Sequence, residues 1–221
     1  MSSPKIVLTY FDRPGRLTPA LLAFKLAGIP FERENLDHAA WAEASKDLSR
    51  FPLGDIPVMS VDGRVVCESF SIAHYAGVLT NLWPKDAFES TRTLEVFLTI
   101  EEAISGAWGV NFKKTLMNAA NPGLTAEKQK ELREGPFKEH LLFYARRVND
   151  IIVQNGDSGF SVGNSVTVAD FFIWQVVHMF TCGRFDHLSS PIFDAFPAIK
   201  KVVANVESIE ALKETIATFK S

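Results

Sequence analysis

Two stretches of this chain carry residues whose types and spacing suit ligand chemistry as well as packing. The first runs from Ile56-Pro57 through Asp62-Gly63 to Glu68-Ser69. Asp-Gly between two apolar runs is the strongest short-range signal for a β-hairpin. Pro57 opens the first of the two strands, where a missing N–H is tolerated, and an X-Pro bond there is a candidate for the cis form. A cis bond would turn the Ile56 backbone outward and leave its N–H and C=O to an extended peptide. Glu68 and Ser69 stand just before a helix-like segment, where backbone N–H groups and the helix dipole attract a carboxylate. A peptide-like ligand bearing a carboxylate suits that combination. The second stretch is Leu8-Thr9-Tyr10-Phe11, followed by Gly15-Arg16. Here a phenol ends an apolar strand and a cation follows in the next loop. Taken alone, a strand tyrosine is a packing residue and Arg16 a solvated cation.

Together these segments resemble the cytosolic glutathione transferases. The hairpin with its Glu-Ser ending is similar to their glutathione-binding half. Leu8–Arg16 is similar to the first strand and catalytic-tyrosine loop of the sigma class, which includes glutathione-dependent prostaglandin D synthases. Val162-Gly163-Asn164-Ser165-Val166-Thr167-Val168-Ala169-Asp170-Phe171 is similar to the Gly-x-Ser-x-Thr-x-Ala-Asp segment of the helical domain. The three matches occur in family order and cover almost the whole chain.

The resemblance implies an enzyme that turns the glutathione thiol into a thiolate and joins it to hydrophobic electrophiles. Tyr10 and Arg16 are then the catalytic residues. A phenol that donates a hydrogen bond to sulfur favours the charged form and lowers the thiol pKa. Glutathione binding falls to Phe11, Trp41, Lys46, Asp55, Ile56, Pro57, Glu68 and Ser69, with Glu101 reaching from a neighbouring subunit. Ile56 and Pro57 meet the cysteinyl backbone, Ser69 the γ-glutamyl carboxylate and Glu68 its ammonium. Trp41 and Lys46 touch the glycine end. Glu68 departs from the sigma pattern, which has glutamine before the serine. Asp55 stands where a lysine often occurs, which removes one cation. Trp108 and Phe112 are assigned to the electrophile pocket, and Asp170 to helix capping. Two alternatives use the same resemblance: a glutathione-dependent prostaglandin D isomerase, and a non-catalytic transferase-like ligand-binding protein. The family also implies a cytoplasmic homodimer that acts in detoxification.

The elements that must position these residues follow from periodicity. The chain has 221 residues, 47% of them hydrophobic and 22% charged, which suits one large or two small globular domains. Its net charge of −3 gives no footprint for nucleic acid or an anionic membrane, and no stretch has the length of a transmembrane helix. No basic segment followed by an apolar one opens the chain, so no cleaved signal is expected. Cys67 and Cys182 form no Cys-x-x-Cys pair, which excludes a dithiol mechanism. The five histidines lack ligand spacing, so no metal site is expected. Residues 5–10 read as a strand and Thr18-Pro19 as a helix start. Phe31–Leu36 read as a second strand, residues 56–67 as the hairpin and Ser69–Leu79 as a helix. This order predicts an α/β, thioredoxin-like domain over 1–83. Beyond it, residues 87–117 and 126–153 read as long helices, with shorter ones after Thr167, near 195–206 and near 208–219. They predict an all-α helical bundle over 86–221, which the resemblance implies holds the electrophile pocket.

Overall fold

The computed structural model describes residues 4–105, 124–183, 185–188 and 190–220. The chain forms two compact units. Residues up to Pro84, together with those from Ile209 onward, make the first; Lys85–Ser208 make the second.

The first unit is a four-stranded mixed sheet with helices. Its elements are β1 (Ile6–Phe11), α1 (Thr18–Leu26), β2 (Glu32–Leu36), α2 (His38–Ala44), β3 (Val58–Val61), β4 (Arg64–Cys67) and α3 (Ser69–Leu79). The strand order is β2-β1-β3-β4; β2 is parallel to β1, whereas β3 and β4 are antiparallel to their neighbours. The period of two puts Ile6, Leu8 and Tyr10 on one face of β1, and all three are buried. The β1–β2 link contains α1, as a parallel pair requires. Thr18 and Pro19 start α1. Gly28 ends it with a φ of 65°, so that the Ile29 N–H reaches back to the Phe24 carbonyl at 3.0 Å. That 6→1 bond needs a left-handed residue, which glycine supplies without a side-chain clash. The hairpin forms where Asp62-Gly63 places it. Both residues have positive φ, 49° and 80°, the backbone of a type I′ turn, and Val61 pairs with Arg64 across it.

The second unit is all helical among the described residues. It comprises α4 (Ala87–Ser105), α5 (Ala126–Leu132), α6 (Lys138–Gln154), α7 (Val168–Thr181) and α8 (Pro197–Ser208). A 3₁₀ turn, Glu210–Leu212, and α9 (Lys213–Lys220) then return to the first unit. Helix α7 is the core of the second unit. Phe171, Phe172, Ile173 and Trp174 are all buried, and Phe172 stacks on Phe97 of α4 at 4.9 Å. A helix apolar on all sides belongs in such a centre. The capping box expected at Thr167–Asp170 forms. The Asp170 carboxylate accepts the backbone N–H groups of Ser161 and Thr167, each at 2.7 Å, with no exposed surface of its own. Burial pushes the Asp170 carboxyl above its ordinary value, and these donors act in the opposite direction.

Three sequence expectations change. Residues 126–153 do not form one helix. A wide turn over Arg133–Phe137 divides them, with Gly135 at φ −100° and ψ −108° and Pro136 inside it. A proline has no N–H and clashes with the preceding turn, and it moves the residue before it out of the helical region. The last helices run over Pro197–Ser208 and Lys213–Lys220, each shifted toward the C-terminus of its expected place. Residues from 209 onward, expected within the helical domain, pack with the sheet-bearing unit instead.

Candidate functional site

Three strands end together around Tyr10. The last antiparallel pair of β1 and β3 is Thr9 with Val58, and that of β3 and β4 is Val58 with Cys67. One position further along each strand come Tyr10, Pro57 and Glu68. The sheet thus gathers Tyr10, Ile56-Pro57 and Glu68-Ser69, far apart in sequence, at one end. The Ile56-Pro57 bond is cis. Because β2 runs parallel to β1, its C-terminal end lies at the same end of the sheet. There Asp37 caps α2 by accepting the Ala40 N–H at 2.7 Å, and His38 meets the Phe11 ring at 4.8 Å.

Tyr10 is 8% exposed. The Arg16 backbone N–H donates to its phenol oxygen at 3.4 Å. The phenol oxygen accepts in this bond, and its own O–H is a separate donor that suits an outside acceptor such as a sulfur. The loop is tied down by Thr18, whose hydroxyl accepts the Gly15 N–H at 3.0 Å. Gly15 makes room for the phenol. A Cβ at that position would lie 2.7 Å from the Tyr10 hydroxyl oxygen.

A second cation, which the sequence reading missed, stands on the Tyr10 face of β2. Leu8 pairs with Arg33 and Tyr10 with Asn35, so these four side chains share a face. Arg33 donates to the Phe11 carbonyl at 3.3 Å and to Asn35 Oδ1 at 2.7 Å, and Asn35 donates to Asp12 at 2.8 Å. Burial pushes the Arg33 guanidinium below its ordinary value, while the Asp12 carboxylate and the Tyr10 phenol pull it back up. Arg33 thus shares the Tyr10 face of the sheet, with the Asp12 carboxylate beside it as a counter-charge. Period-two alternation along Glu32–Leu36 was the signal that could have found Arg33 and Asn35.

Glu68 enters α3 with φ 69° and ψ 120°. This left-handed backbone is rare for glutamate, costs on the order of 1–3 kcal/mol, and characteristically marks functional turns. Its carbonyl accepts the Ile72 N–H, while Ser69 begins the helix, half-buried. A helix N-terminus of this kind suits a carboxylate.

The remaining expected residues are placed less uniformly. Trp41 on α2 is half-buried and meets Phe51 edge-on at 5.1 Å. Lys46 pairs with Glu43 at 2.8 Å on the surface. Asp55 turns its carboxylate onto the next residue and accepts the Ile56 N–H at 2.8 Å. The Ile56 N–H, expected to be open to a ligand, is therefore engaged. Glu101 lies on α4 in the second unit, half-buried. Trp108 and Phe112 fall outside the described residues. Among the described residues no group of three or more His, Cys, Asp or Glu side chains could hold a metal ion, and no helix is long and apolar enough to cross a membrane.

Comparison with known proteins decides the family. Residues 18–78 match the glutathione S-transferase N-terminal domain and residues 111–218 the glutathione S-transferase C-terminal domain. The chain belongs to the glutathione S-transferase family. It is 28% identical to the hematopoietic prostaglandin D synthase of Mus musculus, over 96% of both chains. It is 25% identical to a probable glutathione S-transferase of Caenorhabditis elegans, over 99% of this chain and 98% of that one. Among solved structures, a glutathione S-transferase of the hookworm Necator americanus, described as monomeric, superposes with a TM-score of 0.80 at 26% identity over 97% of each chain. For a transferase of this family glutathione is the co-substrate. The sheet-end cluster fits its thiol and its γ-glutamyl carboxylate; the Asp55 carboxylate is the feature at odds with it.

Proposed function

We propose that this transferase activates the glutathione thiol through Tyr10 and conjugates it to small hydrophobic electrophiles. The observation that carries the reading is the convergence of Tyr10, Ile56-Pro57 and Glu68-Ser69 at one end of the sheet, with the phenol oxygen accepting the Arg16 backbone N–H. In this reading Ser69 and the N-terminus of α3 receive the γ-glutamyl carboxylate, and Ile56 pairs with the cysteinyl backbone. Trp41 and Lys46 serve the glycine end, and Phe11 and Pro57 wall the thiol. The thiol loses its proton to water. The Tyr10 O–H, kept protonated, donates to the resulting sulfur anion, and Arg16 and Arg33 add positive potential. The sulfur then forms a bond to an electrophilic carbon, and the leaving group departs with its electron pair or a double bond takes up the charge. The same reading assigns Trp108 and Phe112 to the electrophile pocket.

A hydrogen bond to a charged partner contributes about 1.5–3 kcal/mol, or roughly ten- to hundredfold in rate if made only to the thiolate. Tyr10→Phe should therefore lower turnover by that factor and leave glutathione affinity within about twofold. Stopped-flow ultraviolet titration of the bound thiolate should show its pKa rising in the variant. An unchanged thiolate pKa would remove Tyr10 from this role.

The likeness to the mouse synthase supports a second reading, a glutathione-dependent prostaglandin D isomerase of the sigma class. It uses the same thiolate, and absence of product from an authentic endoperoxide with glutathione excludes it. The reading includes a detoxifying role in the cytoplasm, checked by fractionation. It also includes a homodimer in which Glu101 reaches the neighbouring site. A single 24.5 kDa species in sedimentation velocity would leave a monomer like the hookworm relative.

A further inference from the structure

We propose that Asp55 determines glutathione affinity by occupying the ligand's anchor: its carboxylate holds the Ile56 N–H, and a thiol tripeptide binds there only by displacing it. The inference rests on the reading that Ile56 pairs with the cysteinyl backbone of glutathione. An extended peptide pairs with a strand edge through backbone groups, its carbonyl accepting from the N–H it faces. Asp55 Oδ1 already accepts the Ile56 N–H at 2.8 Å. Bonds of this local side-chain-to-backbone kind compete with backbone pairing. The competitor is also the stronger acceptor, because a carboxylate exceeds a neutral carbonyl.

Displacement is feasible because Asp55 is exposed and its carboxylate exchanges the N–H for water on rotating outward. Ile56 offers a single backbone N–H, so the carboxylate and a ligand carbonyl compete for it. Charge acts in the same direction. Glutathione at neutral pH carries two carboxylates and one ammonium, and Asp55 adds a like charge to the approach. The result is a site that binds glutathione more weakly than its strands and helix N-terminus would allow. It favours thiol peptides that compensate with additional contacts or carry less negative charge.

The test is calorimetric titration of glutathione into the wild type, Asp55→Ala and Asp55→Asn. Alanine removes both acceptor and charge, and asparagine keeps an acceptor without the charge. Asp55→Ala should bind roughly tenfold tighter, the equivalent of about 1.4 kcal/mol, with Asp55→Asn between it and the wild type. Asp55→Ala binding no tighter than the wild type overturns the inference and leaves the proposed function standing. If neither wild type nor variants bind glutathione, the proposed function fails and the inference with it. Should Asp55→Ala not fold, Asp55→Asn decides: tighter binding than the wild type supports the competition, and equal or weaker binding overturns it.

Discussion

At the scale of single residues, the phenol of Tyr10 depends on what a neighbour lacks. Gly15 carries no side chain where a Cβ would stand 2.7 Å from the phenol oxygen and 3.0 Å from a ring carbon. Gly15→Ala must therefore push the phenol aside or open the loop that the Thr18 hydroxyl closes. Because misplacing a catalytic group by about 1 Å can cost on the order of a hundredfold, Gly15→Ala should reduce turnover at least tenfold. The thermal midpoint should move little, since the loop is half-buried and outside the core. A fully active variant would show that the phenol position is not critical. Tyr10, taken alone a packing residue, stood out only through the family resemblance, whereas Glu68-Ser69 and Ile56-Pro57 were legible in the sequence itself, as a helix start and a proline-opened hairpin. Arg33 was not. Its importance comes from facing the same side of the sheet as Tyr10 across the parallel pair, and that follows from register. Nor was the Asp55 contact legible, because which way an exposed carboxylate turns is a matter of local geometry.

At the scale of elements, the segment between β2 and β3 must be held so that Ile56 arrives beside Tyr10. Glu34 of β2 does part of this. Its carboxylate takes Arg50 at 2.7 Å and the Thr9 hydroxyl at 2.8 Å, tying the connection to the two strands. Burial pushes the Glu34 carboxyl up, yet the hydrogen bonds of Arg50 and Thr9, with the Arg50 charge, hold it below its ordinary value. A carboxyl depressed in the folded protein contributes stability that is present above its unfolded pKa and lost as pH falls through its folded one. The Glu34–Arg50 pair should therefore weaken on acidification through and below the usual carboxylate range. Both side chains are at least a third exposed, so solvent screening limits the effect to under about 1 kcal/mol. Denaturant unfolding of wild type and Glu34→Gln should differ near neutrality and converge in acid. A difference that persists in acid would show that the pair's charge is not what matters. Among the elements, the hairpin and the capping box were legible because short-range chemistry dictates both. The break at Gly135-Pro136 was legible too, had the proline been weighed above the apolar periodicity around it.

At the scale of the whole molecule, the chain leaves the sheet-bearing unit at Pro84 and comes back to it from Ile209. Periodicity marks a helix near 208–219 but says nothing of which unit receives it, because nothing local distinguishes the two hosts. The structure assigns it to the first unit. The turn Glu210–Leu212 packs on α1, and Leu212 and Ile216 are almost wholly buried. Across a groove, Thr215, Thr218 and Phe219 face Leu21, Phe24 and Phe31. Helix α1 begins just after the Tyr10 loop, so the last residues of the chain support the element that fixes Gly15 and Arg16. Burying an aliphatic side chain contributes about 1.5–3 kcal/mol, and for two such residues this sets an upper bound of about 3–6 kcal/mol, since the unfolded chain already hides part of that surface. Against a typical total of about 5–15 kcal/mol, a chain ending at Ser208 should lose a large share of the first unit's stability. The helices of Lys85–Ser208 keep their own core, so urea unfolding followed by far-ultraviolet circular dichroism should split into two transitions, the earlier belonging to the sheet. Glutathione binding should fall with that transition. Replacing Leu212 alone by alanine, a smaller change, should shift the same transition by about 2–5 kcal/mol. A truncated protein that unfolds in one transition at the wild-type midpoint would show that the returning segment lies on the first unit without holding it together.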